Sequence, residues 1–182
     1  DDIAIIGIAG RYPEAANLEA FWQNLSQGKN SIGEIPPERW DWRDYYSHDR
    51  SLSGVHNSKW GGFIDGIDQF DPLFFNISPR EAVNMDPQER LFLQSCWQSL
   101  EDAGITKADL ATKYQGNVGV FAGITKTGYG LYGPALREQG QLVFPRTSFG
   151  STANRVSYVL DLNGPSEPVD TTWMSSITSP SP

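Results

Sequence analysis

The stretch DPQERLFLQSCWQSLEDA, residues 86–103, carries the clearest helical pattern in the chain. Asp86 suits an N-cap, Pro87 suits the first helical position, and Glu89 is placed to complete a capping box. Gly104 follows as a terminator. An apolar stripe at helical spacing is formed by Leu93, Cys96, Trp97 and Leu100. The pattern predicts a long helix that buries one face.

Shorter segments upstream of this helix have a similar start pattern. In SPREAVNM, Ser78 is a candidate cap, Pro79 takes the first helical position and Glu81 the third. In NLEAFWQNLSQG, Asn17 is a candidate N-cap and Gly28 stands at the stop position. The apolar face of this second segment consists of Leu18, Phe21, Trp22 and Leu25. We predict a helix in each segment.

Apolar runs on either side predict strands. IAIIGIAG, residues 3–10, and VGVFAG, residues 118–123, each indicate a buried strand. STANRVSYVLDL, residues 151–162, has helical spacing through Ala153, Val156 and Leu160. NGPSEPVDT then turns toward a third strand. Strands alternating with helices predict an α/β fold with a parallel component.

Residues 29–66 differ from the rest, because they are rich in Pro, Gly, aromatic and charged residues without a sustained period. Linkers lack such aromatic content, so we expect an irregular, aromatic-rich excursion with short hairpin pieces that packs on a folded body.

Composition restricts the class of protein. The chain has 182 residues, 38% of them hydrophobic, and a net charge of −8. This charge argues against a nucleic-acid partner and against docking on an anionic membrane. A single cysteine excludes an internal disulfide, and the sequence begins Asp-Asp without the pattern of a signal peptide. We therefore expect a cytoplasmic domain.

Partial motifs do not add up to a catalytic set. Residues 123–130, GITKTGYG, have the glycine spacing of a phosphate loop but lack its Lys and Ser or Thr. Gly7 and Gly10 fall short of a dinucleotide fingerprint, and a strand-end turn that needs glycine freedom is the simpler interpretation. His48 and His56 have no zinc-ligand spacing, so we interpret them as solvated loop residues.

The remaining candidate groups have structural interpretations. Cys96 lies on the apolar stripe of a helix, which favours a buried thiol over a nucleophile. The acidic residues in turns and at the end of the long helix are interpreted as solvated caps; they are Asp65, Asp68, Asp71, Glu101 and Asp102. The residues alone therefore indicate an α/β domain without a complete active site and without a metal.

Residues 60–104, WGGFIDGIDQFDPLFFNISPREAVNMDPQERLFLQSCWQSLEDAG, resemble the β-ketoacyl synthase (ketosynthase) domain of modular type I polyketide synthases. IAIIGIAGRYPEAANLEAFWQNLSQG, NVGVFAG and STANRVSYVLDLNGPSEPVDT agree with the family in order and spacing. The resemblance covers residues 1–172, and GPSEP resembles synthases that use free-standing acyltransferases.

The resemblance implies about the first α/β half of a thiolase-like fold in a homodimeric enzyme. The family condenses an acyl group with a malonyl-type thioester by a decarboxylative Claisen reaction. Its acyl groups arrive on the phosphopantetheine arm of an acyl carrier protein, and no cofactor is bound directly. A cysteine after a strand is the nucleophile, and two downstream histidines assist.

The chain departs from the family at this nucleophile. Family members usually read Asp-Thr-Ala-Cys-Ser-Ser-Ser, whereas this chain reads Asp-Thr-Thr-Trp-Met-Ser-Ser over residues 170–176. Trp173 occupies the nucleophile position, and an indole N–H only donates hydrogen bonds. Pro180 and Pro182 disfavour the helix that would follow. By this resemblance, none of the family's catalytic residues is intact in the chain.

Three interpretations remain open from the sequence, and the third is an unstable or misfolded gene product without a function. The first is a ketosynthase fragment, residues 1–172, that is inactive alone and is followed by a divergent tail, residues 173–182. The second is a non-catalytic module that binds a carrier protein or a subunit. The abrupt change after Thr171 is attributed to a truncation, a frameshift or an artificial boundary. We expect residues 121–124 and 156–162 to be the most uncovered apolar segments.

Overall fold

The computed structural model describes residues 2–126, 128–146 and 148–170, and these residues form two compact units. One unit contains residues 9–66, and the other contains residues 2–8 together with 67–170. Among the described residues, no helix has both the length and the apolar character needed to cross a bilayer.

The unit of residues 9–66 contains helix α1, Leu18–Ser26. The predicted cap is confirmed, because the Asn17 side chain accepts a hydrogen bond of 2.9 Å from the Ala20 N–H. The predicted apolar face is only partly covered: the Phe21 ring stacks on Tyr12, whereas 69% of Trp22 remains exposed. The spacing of apolar residues identifies the face correctly but does not determine what covers it.

The predicted aromatic excursion is confirmed as irregular. Its regular structure is a short antiparallel pair, β1 at Gly33–Glu34 with β2 at Trp60–Gly61, and a 3₁₀ turn at Trp42–Tyr45. The Lys59 Nζ atom lies 4.6 Å from the Trp42 ring centroid and 5.2 Å from that of Trp60. It also pairs with Glu34 at 2.6 Å. Cation–π contacts and this ion pair therefore tie both ends of the excursion together.

The other unit is an α/β arrangement. Its helices are α2 Pro79–Ala82, α3 Pro87–Asp102, α4 Lys107–Thr112, α5 Gly133–Glu138 and α6 Phe149–Leu160, and its strands are β3 Val120–Gly123 and β4 Ser166–Val169. The two strands are parallel, in a register that aligns Val120 with Ser166 and Gly123 with Val169. Helix α6 packs on both strands and also on α3. The predicted parallel component is thus confirmed in β3 and β4.

The start of α3 follows the sequence prediction except for one side chain. The Asp86 carboxylate accepts the Gln88 N–H at 2.9 Å, and Gly104 ends the helix at φ +66°. The predicted capping box is wrong, because the Glu89 carboxylate accepts from Arg155 of α6 instead, at 2.9 Å. A charged guanidinium competes more strongly for a carboxylate than a helix-terminal N–H does.

The core of this unit lies between α3, α6 and the strand pair. Leu93 is fully buried, and Ala153, Val156 and Leu160 face inward from α6 as their spacing predicts. The other buried members of the cluster are Phe75, Ile77, Ala82, Met85, Leu110, Val120 and Ala122, and partly buried apolar groups that pack against it include Cys96, Trp97 and Leu100. The predicted stripe of α3 is therefore confirmed.

The prediction of a buried strand at residues 3–10 is wrong. The backbone there forms no strand, and Ile3 is 97% and Ile5 85% exposed. A strand requires a hydrogen-bonded neighbour, and among the described residues β3 and β4 pair only with each other. An apolar run signals the tendency to pair but does not supply the partner.

We expect Leu93→Ala to destabilise this unit by about 2–5 kcal/mol, because it removes a fully buried side chain and leaves a cavity between α3 and the strands. Urea unfolding followed by far-UV circular dichroism measures the change. Leu142→Ala is the matched control, because Leu142 is 82% exposed. Equal stabilities of the two variants would contradict this description of the core.

Candidate functional site

The two parallel strands end side by side at Gly123 and Val169. The Ile124 N–H continues the ladder by one step, donating to the Val169 carbonyl at 3.2 Å. Asp170 follows at once and is exposed. In parallel α/β sheets the carboxyl ends of strands are where functional turns are placed. The residues from Thr171 onward, including Trp173 and its neighbours, lie outside the described residues.

A close backbone approach fixes the path from α6 into β4. Asp161 ends α6 in the left-handed region at φ +57°, and the Asn163 N–H donates to the Gly116 carbonyl at 2.7 Å. A Cβ built on Gly164 would lie 2.4 Å from the Val118 carbonyl oxygen, so only glycine fits there. These contacts align the start of β4 with β3.

Arg155 joins α6 to two preceding helices. Its Nη1 atom lies 2.6 Å from Glu81 of α2, and its Nε atom lies 2.9 Å from Glu89 of α3. Burial lowers the pKa of the guanidinium, but hydrogen bonds and charges from the two carboxylates outweigh that effect and leave the pKa raised. Arg155 therefore stays protonated, and Glu89, only 3% exposed, keeps its counter-charge.

Sequence reasoning missed this cluster. Residues 81, 89 and 155 are separated by up to 74 positions, and charges at such a distance carry no periodic signal. The one available hint is a lone arginine beside Val156, within an otherwise uncharged and partly apolar helix segment.

Two open clefts are each lined in part by Arg155. The first encloses about 690 Å³ between an aromatic wall, formed by Phe74, Phe75 and Trp97, and the polar side chains of α6. The second encloses about 460 Å³ and is lined mainly by polar groups around Glu81 and Arg155. Both carboxylates of the cluster face a guanidinium, so neither is placed as a free general base. The clefts lack a catalytic set among the described residues.

Cys96 is half-buried in a cleft of about 210 Å³ with apolar neighbours that include Phe92, Leu100 and Val120. Burial raises the pKa of the Cys96 thiol to about 11. The thiol is therefore protonated near neutral pH, as expected for a structural cysteine and unlike a catalytic one. The prediction of a structural thiol is confirmed, although the side chain is not fully buried.

The two histidines behave differently from each other. His48 is exposed, with its Nδ1 atom 3.2 Å from the Tyr46 hydroxyl, in accordance with the prediction of a loop residue. The prediction of a solvated loop residue holds only in part for His56, which is partly buried. Its ring centroid lies 4.8 Å from that of Trp40, and its Nδ1 atom lies 2.6 Å from the Ser58 carbonyl. Aromatic packing and a local hydrogen bond cover part of this ring, and the residue stays partly exposed.

The glycines of GIAG serve close packing. A Cβ on Gly7 would lie 2.3 Å from the Ser99 carbonyl of α3, and one on Gly10 would lie 2.4 Å from the Tyr12 hydroxyl. Neither glycine has a positive φ. The predicted need for backbone freedom is therefore wrong, because the constraint at both positions is space.

The acidic residues in turns have mostly structural roles. Asp71 accepts the Phe74 N–H at 3.2 Å, which confirms a cap, whereas Asp102 accepts the Ile8 N–H at 2.9 Å and so holds the N-terminal segment. Asp65, Asp68 and Glu101 are exposed. In the described part of the chain, no three acidic, histidine or cysteine side chains are grouped so that they could hold a metal ion.

The fold defines a class of protein: a parallel strand pair packed against helices, with the carboxyl ends of the two strands side by side. The family model of the β-ketoacyl synthase N-terminal domain matches residues 1–179. The chain belongs to this family.

Relatives with similar sequences are polyketide synthases. The chain is 53% identical over 178 residues to polyketide synthase ThaG of Burkholderia thailandensis and 53% identical over 182 residues to PksL of Bacillus subtilis. These alignments cover 98% and 97% of this chain but only 3% and 4% of the relatives. The chain thus spans a small part of each relative's length.

Solved structures that resemble this chain are ketosynthase domains. The chain is 44% identical, with a TM-score of 0.86, to the oxazolomycin ketosynthase domain OzmH KS7 of Streptomyces albus JA3453. It is 40% identical, with a TM-score of 0.75, to the ketosynthase from module 6 of the bacillaene synthase of Bacillus subtilis 168. The similarity covers 94% and 93% of this chain and 29% and 26% of those chains. The chain therefore corresponds to an N-terminal part of a polyketide synthase ketosynthase domain, with the thiolase-like fold that the sequence predicts.

Removing the charge of Arg155 is expected to destabilise the unit. Arg155→Met leaves the buried Glu89 carboxylate unpaired, which costs about 3–5 kcal/mol. The double variant Arg155→Met with Glu89→Gln should recover part of that loss, and urea unfolding measures both. Lys113→Met is the control, because it breaks the exposed pair with Asp109 and should change stability far less. A single variant as stable as the parent chain would contradict the role of the cluster.

The Cys96 thiol is expected to react with iodoacetamide about 100-fold more slowly at pH 8 in the folded chain than in urea, because its raised pKa removes most of the thiolate. The folded state favours the protonated thiol, so its contribution to stability is complete below pH 9.0 and falls as pH rises toward about 11. Mass spectrometry over time gives the alkylation rate of the thiol in the folded chain and in urea. Equal rates would show that the thiol is freely exposed.

Proposed function

We propose that this chain supplies the N-terminal part of a ketosynthase that joins an acyl group to a malonyl-type thioester by decarboxylative Claisen condensation. The relatives support the proposal because they are named as polyketide synthases, and the similar structures are named as ketosynthases. The main structural support for the proposal is the geometry of β3 and β4, whose carboxyl ends lie side by side directly before Asp170. That is where the family resemblance places the strand-to-turn step of the nucleophile.

The chemistry at this step needs a sulfur nucleophile. In the proposed complete enzyme, a cysteine thiolate attacks the carbonyl carbon of an acyl thioester, and the carrier thiol leaves as the new thioester forms. Trp173 stands at that position by the resemblance, and an indole cannot form the thioester. No described residue replaces the cysteine, because the Cys96 thiol is half-buried within α3. The chain as it stands is therefore proposed to be inactive alone.

The proposed partners follow from this assignment. They are an acyl carrier protein, whose phosphopantetheine arm would deliver the acyl group, the remainder of the synthase, and a second ketosynthase subunit in a homodimer. The GPSEP segment supports a synthase served by free-standing acyltransferases, and the proposed location is the cytoplasm. Residues 1–172 are proposed as the ketosynthase part and residues 173–182 as a divergent tail. The named relatives do not favour a separate binding module.

We expect no acyl adduct at residues 171–176 when the 182-residue chain is incubated with an acyl-carrier thioester. Peptide mapping after intact-mass measurement checks this, with the bacillaene module 6 ketosynthase as the positive control. Trp173→Cys in the same chain should yield no condensation product, because the second half of the site is still absent. An adduct at Trp173, or a β-ketoacyl product from the variant, would refute the assignment.

A chimeric enzyme tests the function directly. Residues 1–171 are fused to the remainder of the bacillaene module 6 ketosynthase, which restores its own nucleophile and the residues after it. We expect this chimera to become acylated, because β3 and β4 present the turn as the family does. The matched control carries Trp at the nucleophile position and should remain unmodified. A folded chimera that is not acylated would refute the proposed function.

A further inference from the structure

The turn between α6 and β4 contains the one Asn-Gly pair of the sequence, Asn163–Gly164. Asparagine is chemically labile, and a following glycine has no side chain that would hinder attack by its own backbone nitrogen on the asparagine amide. Asn163 is exposed to water. Among the described residues, the Gly164 N–H donates to no backbone carbonyl. A labile amide and an unengaged backbone nitrogen are therefore neighbours in this turn.

The folded turn restrains both groups. The Asn163 N–H donates to the Gly116 carbonyl at 2.7 Å. A Cβ built on Gly116 would lie 2.5 Å from the Asn163 Nδ2 atom, so the side-chain amide rests against the α-carbon of Gly116. Gly164 in turn packs on Val118, whose carbonyl oxygen would lie 2.4 Å from an added Cβ. The amide and the Gly164 nitrogen can rotate toward each other only when these contacts open.

The elements on both sides of the turn are packed. The sequence predicts residues 121–124 and 156–162 to be the most uncovered apolar segments, and this prediction is wrong apart from two side chains. Phe121 and Tyr158 are 60% and 82% exposed. The buried residues of these segments include Ala122, Ile124, Val156 and Leu160. Because α6 packs on the strand pair, the opened turn is a minor population that costs free energy to reach.

We propose that Asn163–Gly164 is a deamidation site controlled by opening of the α6–β4 turn. In the opened turn, the Gly164 nitrogen forms a bond to the Asn163 Cγ atom. The Cγ–Nδ2 bond breaks, and Nδ2 leaves as ammonia with the proton of the Gly164 N–H. Water then opens the cyclic imide at either carbonyl and gives aspartate or isoaspartate. The reaction uses groups of the turn and water alone, so the site does not depend on the proposed function.

The isoaspartate product alters the start of β4. Its main chain runs through the former side-chain carbon, which lengthens the backbone by one bond, about 1.5 Å. Directly after the turn, the Val120 N–H donates to the Pro165 carbonyl at 2.7 Å, and Val120 pairs with Ser166. An added backbone atom before these contacts shifts β4 along β3. Deamidation is therefore expected to misalign the carboxyl ends of the two strands.

Peptide mapping of the 182-residue chain held at pH 8 measures deamidation, which adds about 1 Da at each event. We expect the rate at Asn163 to be at least about tenfold lower in the folded chain than in urea, because only the opened turn reacts. Hydrogen exchange of the Asn163 N–H reports the same opening, so its protection factor should match the slowing of deamidation within about threefold. Asn163→Gln needs a larger ring and should stay unmodified.

Gly116→Ala tests the contact that holds the amide. Its methyl group displaces the Asn163 side chain, so deamidation of the folded variant should be at least about fivefold faster than in the parent chain. Gly140→Ala is the matched control. The two glycines have φ +70° and φ +76°, so both variants are strained, but nothing lies within 4 Å of a Cβ on Gly140.

Circular dichroism confirms that both variants fold. The proposal fails if the parent chain deamidates as fast when folded as in urea, or if the protection of the Asn163 N–H and the slowing of deamidation disagree. It also fails if folded Gly116→Ala deamidates no faster than Gly140→Ala. Should Gly116→Ala not fold, the comparison of deamidation with hydrogen exchange in the parent chain decides the question.

Discussion

The pairing of Arg155 with Glu81 and Glu89 is the constraint on which the α/β unit depends. It joins α6 to α2 and α3, two neighbouring helices that lie far from α6 in the sequence. A guanidinium can enter this half-buried position because two carboxylates meet it, and Glu89 can be buried because the guanidinium is there. Each charge is therefore tolerated only because the other is present. Removing a charged group from one helix should weaken the packing of the other two.

The orientation of α6 decides where the strands end. Its apolar face, with Val156 and Leu160, covers β3 and β4, and its C-terminus turns back into β4 through a left-handed Asp161. Gly164 then passes against the backbone of Val118 at a distance that excludes any side chain. The position of the carboxyl end of β4 thus follows from the packing of α6 and from backbone contacts at the start of the strand.

The unit of residues 9–66 is stabilised in another way. Its strands are two residues long, and among the described residues its helix has no buried member. Contacts between aromatic rings, together with Lys59 over Trp42 and Trp60, replace a continuous apolar core. This explains why the segment shows no periodicity, since ring and cation contacts need suitable side chains but no regular spacing.

The sequence alone was sufficient for features that depend on neighbours in the chain. Helix α3, its Asp86 cap and Gly104 stop, and the inward face of α6 were predictable, because spacing and capping are local. By the family resemblance, the motifs also predict that Trp173 stands at the nucleophile position.

Only the tertiary structure decided which distant groups meet. Glu89 could have completed a capping box, but it pairs with Arg155, which is 66 positions away. Residues 3–8 have the pattern of a buried strand, yet they lie exposed because pairing needs a second strand that a pattern cannot supply. Gly7 and Gly164 are required by close backbone contacts that no turn signal reveals. The physical reason is common to these cases: burial and pairing are properties of two partners, and a local sequence describes one of them.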